Sequence, residues 1–173
     1  MAAKIPVLDG ETDTASLMTY GYDPELSSLS PYKGAMAAVI EAMSKLVGAG
    51  IDPKHAWLSF QEYFGRTGDD PEKWGKPFAA LLGALKAQAE LEVAAIGGKD
   101  SMSGTFEDID VPPTLIAFAV STAKASRIVT NEWKAKDHYI YAVMPEYDEN
   151  GIVDFNSVRD VFDKVYSLIN LGC

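Results

Sequence analysis

Cysteine is almost missing from this sequence, with one residue, Cys173, at its very end. That excludes a disulfide framework and a cysteine-rich zinc site. A thiol on a free chain end also has nothing to hold it against a base, so it is a poor candidate nucleophile. Histidine is nearly as scarce: His55 and His138 stand apart, neither at metal-ligand or triad spacing to a partner. No run reaches the roughly 18 apolar residues that a membrane helix requires. The N-terminus lacks the basic-then-apolar pattern of a secretory signal, so the sequence predicts a reducing, cytoplasmic setting without membrane contact. Positive charge is in deficit, with 15 Lys and Arg against 25 Asp and Glu and a formal net charge of -10. Such a surface repels a polyphosphate backbone and argues against nucleic acid as a partner. It still admits a small phosphorylated ligand held through Mg²⁺ between carboxylates and phosphates. Walker A, Gly-x-Ser-x-Gly and His-Glu-x-x-His motifs are absent, as are internal repeats and low-complexity tracts.

What is present is a chain of 173 residues, 47% apolar, enough to bury a sizeable core. Residues 1–32 read as irregular, with a short strand at Leu17 to Tyr20 and a loop punctuated by Pro24 and Pro31. Met36, Val39, Ile40, Met43 and Val47 recur at helical spacing and predict a helix from Lys33 to Ala49. Trp57 to Phe60 predicts a strand. Asp70-Pro71 reads as an N-cap followed by a first-turn proline, opening a helix that runs to about Glu92. On it, Trp74, Phe78, Leu81, Leu82 and Leu85 share one face, while Ala79, Ala80, Gly83, Ala84 and Ala87 permit close approach to a sheet. Trp57, Trp74 and Phe78 are expected in the core. Val93 to Ile96 predicts a short strand. Thr114 to Val120 predicts a strand buried on both faces, and Ser121 to Ser126 a boundary. A strand at Tyr139 to Met144, a turn at Asp148 to Gly151 and a helix from about Asn156 complete the pattern. This last unit, with nothing evident to pack against, is expected to be the start of a further domain of a longer protein.

The chemistry centres on the loop Gly97-Gly98-Lys99-Asp100-Ser101-Met102-Ser103-Gly104. Its glycines let the backbone approach a ligand closely, and successive N–H groups can face an anion. Lys99 adds positive charge and the serines add donors. Asp100 repels a bare phosphate but suits a Mg²⁺ beside one. Asp9, Glu11 and Asp13 form a second acidic set, without the glycine and glutamate that complete a calcium loop. Glu41 directly follows Ile40 of an apolar helical face, at its edge or turned into a cleft.

Ala95 to Phe106, followed by Asp110-Val111-Pro112-Pro113-Thr114-Leu115, resembles the second synthetase half of the formylglycinamidine ribonucleotide synthase family. Asp9 to Ser16, Ser30 to Ala35, and Gln61 to Phe64 with Asp70 to Leu82 resemble the same region, in order, over about residues 5–122. The resemblance implies an α/β (α+β) fold of the aminoimidazole ribonucleotide synthetase-like kind. Residues 1–122 would be its N-terminal nucleotide and metal domain, a mixed sheet with helices on one side that closes a β-barrel on pairing. Residues 123–173 would begin the C-terminal domain that follows.

It also implies a carbon–nitrogen ligase of purine biosynthesis with glutamine as amide donor. ATP activates the formamide oxygen of formylglycinamide ribonucleotide as an iminophosphate, and ammonia displaces phosphate. The metal ligands implied are Asp9, Glu41 and Asp100, and the nucleotide contacts Lys99 and Ser101, with ATP or ADP and Mg²⁺ as cofactors. No catalytic residue is assigned. A further ligand, an asparagine in the family, falls on Lys45, whose ammonium cannot ligate Mg²⁺ but can stand in for a cation. The implied partners are the first synthetase half and the glutaminase domain of the same polypeptide. The piece alone is expected to be inactive and to self-pair. The alternative is a non-catalytic structural half that holds an auxiliary nucleotide or only completes the barrel.

Overall fold

Four side chains, Asp23, Ser30, Asp70 and Asp154, accept hydrogen bonds from backbone N–H groups of a following first helical turn. They open α1 (Pro24–Leu29), α2 (Pro31–Gly48), α3 (Pro71–Leu91) and α4 (Phe155–Asn170). In the computed structural model, which describes residues 1–172, Pro24 and Pro31 therefore start helices where the sequence suggested a loop. A first-turn proline loses nothing, since that N–H has no partner inside the helix. Cys173 lies outside the described residues.

The strands are β1 (Ala2–Lys4), β2 (Thr14–Gly21), β3 (Trp57–Tyr63), β4 (Ala94–Lys99), β5 (Thr105–Phe106), β6 (Ile109–Asp110) and β7 (Thr114–Lys124). Five of them form one mixed sheet in the order β1-β2-β7-β3-β4, and β5 and β6 form a separate hairpin. β7 is antiparallel to both β2 and β3, and β3 is parallel to β4 across α3. Register aligns Leu17 with Ser121, and Leu58 with Ala119, so these side chains share the face that α2 covers. Ala35, Ala38 and Ala42 of α2 meet Ala117 and Ala119 there, all fully buried or nearly so. Small side chains on both surfaces bring helix and strand together. A Cβ on Gly21 would lie 2.1 Å from the Ala38 carbonyl oxygen, and Thr19 Oγ1 donates to the Ala42 carbonyl at 2.7 Å.

Several expectations are corrected. β7 is 11 residues long and runs to Lys124, past the strand end expected at Val120. Only its helix side is fully covered, because helices lie on one face of the sheet; Ile116, Phe118 and Val120 on the other face are half-buried. β4 extends into the glycine-rich stretch as far as Lys99. Tyr139 to Met144 forms no strand: its side chains stay in solvent, with Tyr139 88% and Tyr141 81% exposed, so the segment has no buried face to pack. α4 does find a packing surface. Phe155, Val158 and Phe162 join the core beneath α2 and α3.

The largest correction concerns α3. Its large apolar stripe faces outward, with Phe78 63% and Leu85 59% exposed, and Trp57 and Trp74 are half-exposed too. Ala80, Gly83, Ala84 and Ala87 point inward. The reason is contact with α2, since a Cβ on Gly83 would sit 2.1 Å from the Tyr32 carbonyl oxygen. Gly75 of the same helix has open space where its Cβ would be. Gly83→Ala is therefore expected to destabilise by about 1–3 kcal/mol through overpacking. Gly75→Ala is expected to stabilise by up to about 1 kcal/mol through helix propensity. Urea unfolding of the two variants checks the opposite signs.

Candidate functional site

β4 pairs with β3 in parallel, with a register shift between Leu58 and Phe60 that falls beside the first glycines of the loop. Gly97 there adopts φ +147°, open mainly to glycine. A Cβ on Gly98 would lie 2.4 Å from the Phe60 carbonyl oxygen. Both glycines thus serve strand pairing. The chain then crosses the end of β3, with Ser101 N donating to the Glu62 carbonyl at 3.0 Å and Phe64 N donating to the Ser101 carbonyl at 2.9 Å. The Ser101 amide is therefore committed within the protein and does not face an anion. Its hydroxyl remains, 2.8 Å from Ser103 Oγ. Lys99 sits at the same C-terminal edge, its Nζ 5.9 Å from the Tyr63 ring centroid, and forms no ion pair among the described residues. Lys99 and Ser101 both lie where β4 ends, Lys99 beside Tyr63 and Ser101 beside Ser103.

Glu41 is held by groups of this chain. One carboxylate oxygen accepts from Tyr22 N at 2.9 Å, and the other meets Lys45 Nζ at 2.6 Å. Lys45 also donates to the Tyr20 carbonyl at 2.8 Å and lies 4.5 Å from the Tyr20 ring centroid. Asp9 is exposed in the loop before β2. The eight residues of β2 separate that loop from Tyr22, a span of about 25 Å. Asp100 follows β4, which lies three places along the sheet from β2, at least roughly 14 Å away. The chain does not bring Asp9, Glu41 and Asp100 together. Among the described residues, no three His, Cys, Asp or Glu side chains are placed to hold a metal. Asp13, from the same acidic stretch as Asp9, has a fixed place: hydrogen bonds from the Ser126 hydroxyl and amide hold its carboxyl below the usual range.

Sequence reasoning passed over Glu62. It is only 6% exposed, on the helix side of β3 in line with Leu58 and Phe60. Burial first, and the charge of Asp100 second, push its carboxyl up to about 7. A charged residue in phase with two apolar ones on a strand was the available signal. Glu62 lines a groove of about 720 Å³ between α3 and β4, walled by Trp74, Phe78, Leu81 and Leu85 and reaching Lys99 and Asp100. On the opposite face of the sheet Met18, Tyr20, Trp57 and Tyr63 are exposed beside half-buried Ile116 and Phe118. Among the described residues, no helix is long and apolar enough to cross a membrane.

A mixed sheet with helices on one face is a fold that this chain shares with solved PurL structures. The Thermotoga maritima PurL complexed with ATP superposes on 95% of this chain at TM-score 0.70 and 14% identity. The same protein complexed with FGAR superposes on 99% at TM-score 0.68 and 15% identity. In sequence, the chain is 27% identical over 104 residues, 60% of its length, to phosphoribosylformylglycinamidine synthase subunit PurL of Haloarcula marismortui. It spans 26% of the length of those structures and 14% of the curated relative, so the likeness is to a part of PurL. No family model matches the chain.

The raised Glu62 carboxyl has a consequence for stability. The folded chain holds this proton more tightly than the unfolded one, whose reference value is 4.5. Stability at Glu62 is full below about 4.5, falls as pH rises towards about 7, and is level above that. Glu62→Gln is expected to remove this component and raise stability at pH 8 by on the order of 1–2 kcal/mol, a value discounted for solvent access to the carboxyl. Urea unfolding of both proteins across that pH range checks it.

Proposed function

We propose that this chain is part of an ATP-dependent carbon–nitrogen ligase of purine biosynthesis that converts formylglycinamide ribonucleotide, glutamine and ATP to formylglycinamidine ribonucleotide. One observation carries this reading: the chain is similar in sequence to a curated PurL over 60% of its length and in fold to an ATP-complexed PurL over 95%. In this reaction ATP phosphorylates the formamide oxygen, and ammonia from glutamine displaces phosphate from the iminophosphate. The part of this chain is to hold a nucleotide at the C-terminal edge of β3 and β4. Lys99, which forms no ion pair among the described residues, brings an ammonium to the phosphates, and the Ser101 hydroxyl brings a donor.

Mg²⁺ does not fit the carboxylates of the single chain. Both oxygens of Glu41 are engaged, one by the Lys45 ammonium, and a second cation there would meet like charge. The same ion pair favours a second reading, a non-catalytic half that holds an auxiliary nucleotide or completes the barrel with its charge already balanced. Under either reading the isolated chain does not turn over. The expected result is ADP binding by calorimetry, weakened about tenfold or more by Lys99→Ala through loss of a charged contact. In the same preparation, ATP, ammonia and formylglycinamide ribonucleotide give no product. ADP binding unaffected by Lys99→Ala would remove the loop from the reading.

The open face of the sheet is the surface on which the other synthetase half would pair. Its aromatic and aliphatic side chains, Met18, Tyr20, Trp57 and Tyr63, are exposed among the described residues. Without that half, a second copy of this chain is the expected occupant. Light scattering is expected to give a dimer, and Phe118→Glu, on the same face, a folded monomer. A wild-type monomer at all concentrations would count against this surface.

A further inference from the structure

The loop after β3, the end of β6 and the first turns of α3 meet at a small cleft lined by Phe64, Gly65, Arg66, Lys73, Lys76 and Asp110. Its floor is tied together by hydrogen bonds. Gly104 N donates to the Phe64 carbonyl at 2.9 Å, and Val111 N donates to the Gly104 carbonyl at 2.7 Å. Arg66 N donates to Thr105 Oγ1 at 2.7 Å, and that hydroxyl donates in turn to Asp110 Oδ1 at 2.5 Å. Glycine at position 65 permits this closure, since a Cβ there would lie 2.7 Å from Asp110 Oδ1. Lys73 and Lys76 stand three residues apart on α3 and are surface neighbours; Arg66 comes from the tied loop. All three are exposed, and among the described residues none forms an ion pair. Asp110 is the one carboxylate of the lining; Asp69 and Glu72 do not reach it. Asp70 is spent on the helix start, accepting from Glu72 N and Lys73 N, so the end of α3 is already capped. In a chain with 25 acidic and 15 basic residues, this cleft has the opposite sign to the whole.

We infer that this cleft binds the phosphate ester of a ribonucleotide, with Arg66, Lys73 and Lys76 as its cationic contacts. The charges match: three cations less Asp110 leave an excess of two, and a phosphate monoester carries close to two negative charges at neutral pH. The donors match as well, a planar guanidinium fork and two ammonium groups against the free phosphate oxygens. The enclosed volume of about 20 Å³ admits one oxygen-sized group. A phosphate thus seats one oxygen on the floor and leaves its ester outward, where the rest of the molecule extends. The cleft adjoins the edge assigned to the nucleotide, since Phe64 N of its floor donates to the Ser101 carbonyl at 2.9 Å. The inference rests on the proposed reaction for the identity of the ligand, and adds a phosphate contact beyond Lys99 and Ser101. That reaction offers two sources of the same group, the terminal phosphate of the nucleotide and the ribose phosphate of formylglycinamide ribonucleotide.

Calorimetry with ADP, formylglycinamide ribonucleotide and adenosine tests this on the wild type, Arg66→Gln, Lys73→Gln, Lys73→Arg and the pair Lys73→Gln with Lys76→Gln. Glutamine removes the charge and keeps most of the stem, and circular dichroism confirms that each variant is folded. At least one phosphate-bearing ligand is expected to weaken by about fivefold for each charge removed, the upper range for exposed ion pairs. The paired variant is expected to lose more than either single change, and Lys73→Arg to keep the wild-type affinity. Adenosine, which has no phosphate, should not respond to any of them. Weakening of ADP assigns the cleft to the nucleotide's terminal phosphate; weakening of the ribonucleotide alone assigns it to the substrate. Both phosphate ligands bound equally by wild type and variants overturns the cleft, and a loss of ADP affinity in Lys99→Ala in the same series leaves the nucleotide reading standing without it. Equal losses for adenosine, or a loss in Lys73→Arg, show a structural role and also overturn it. No binding of either phosphate ligand by the folded wild type ends both readings.

Discussion

Backbone-to-backbone contact through missing side chains is the constraint on which this structure depends. Gly21 lets β2 reach the Ala38 carbonyl, and Gly83 lets α3 reach the Tyr32 carbonyl. Alanines on α2, α3 and β7 fill the space around them. With α2 pressed against both the sheet and α3, its own alanines, methionines and valines are almost entirely sealed. The rest follows from that choice. α3 cannot lie flat over β3 and β4, its bulky stripe is left outward, and a groove opens with a carboxyl at its base.

Much of this was legible where the signal is local. Asp70-Pro71 marks the start of α3, the period of Met36 to Val47 marks α2, and the onset of α4 differs from the expectation by one residue. These depend on capping and periodicity within a few residues. The inward face of α3 was not legible, because two stripes competed. Transfer energy favours burying Trp74, Phe78 and Leu81, whereas close packing against Tyr32 favours the small stripe. Only the position of α2 decides between them. Pro24 and Pro31 suggest a loop as readily as a helix start, because proline serves both loops and first helical turns. Tyr139 to Met144 has strand-forming composition but leaves its side chains in solvent, and strand propensity without burial does not make a strand.

The proposed site divides in the same way. The glycines of the 97–104 loop carry a strand irregularity as well as any ligand role, and composition alone cannot separate those two demands. Lys99 and Ser101 share an edge because β4 ends there and the chain doubles back over β3. Asp9, Glu41 and Asp100 came from the family resemblance, and their separation follows from strand order, which no local pattern encodes. Glu62 was visible as a charge in an apolar register, yet its environment is set by the tilt of α3 and by Asp100.

Strand order has one more effect. β7 lies between β2 and β3, yet it is made after both of them and after α2, α3 and β4. Until residues 114–124 leave the ribosome, β2 and β3 each lack their shared neighbour, and the main sheet exists only as two separate pieces. Its closure is an insertion between segments about 100 and 60 residues upstream. Such distant pairing is slow and leaves apolar strand edges open meanwhile. Synthesis pausing before residue 114 would therefore hold the nascent chain in its most adhesive form.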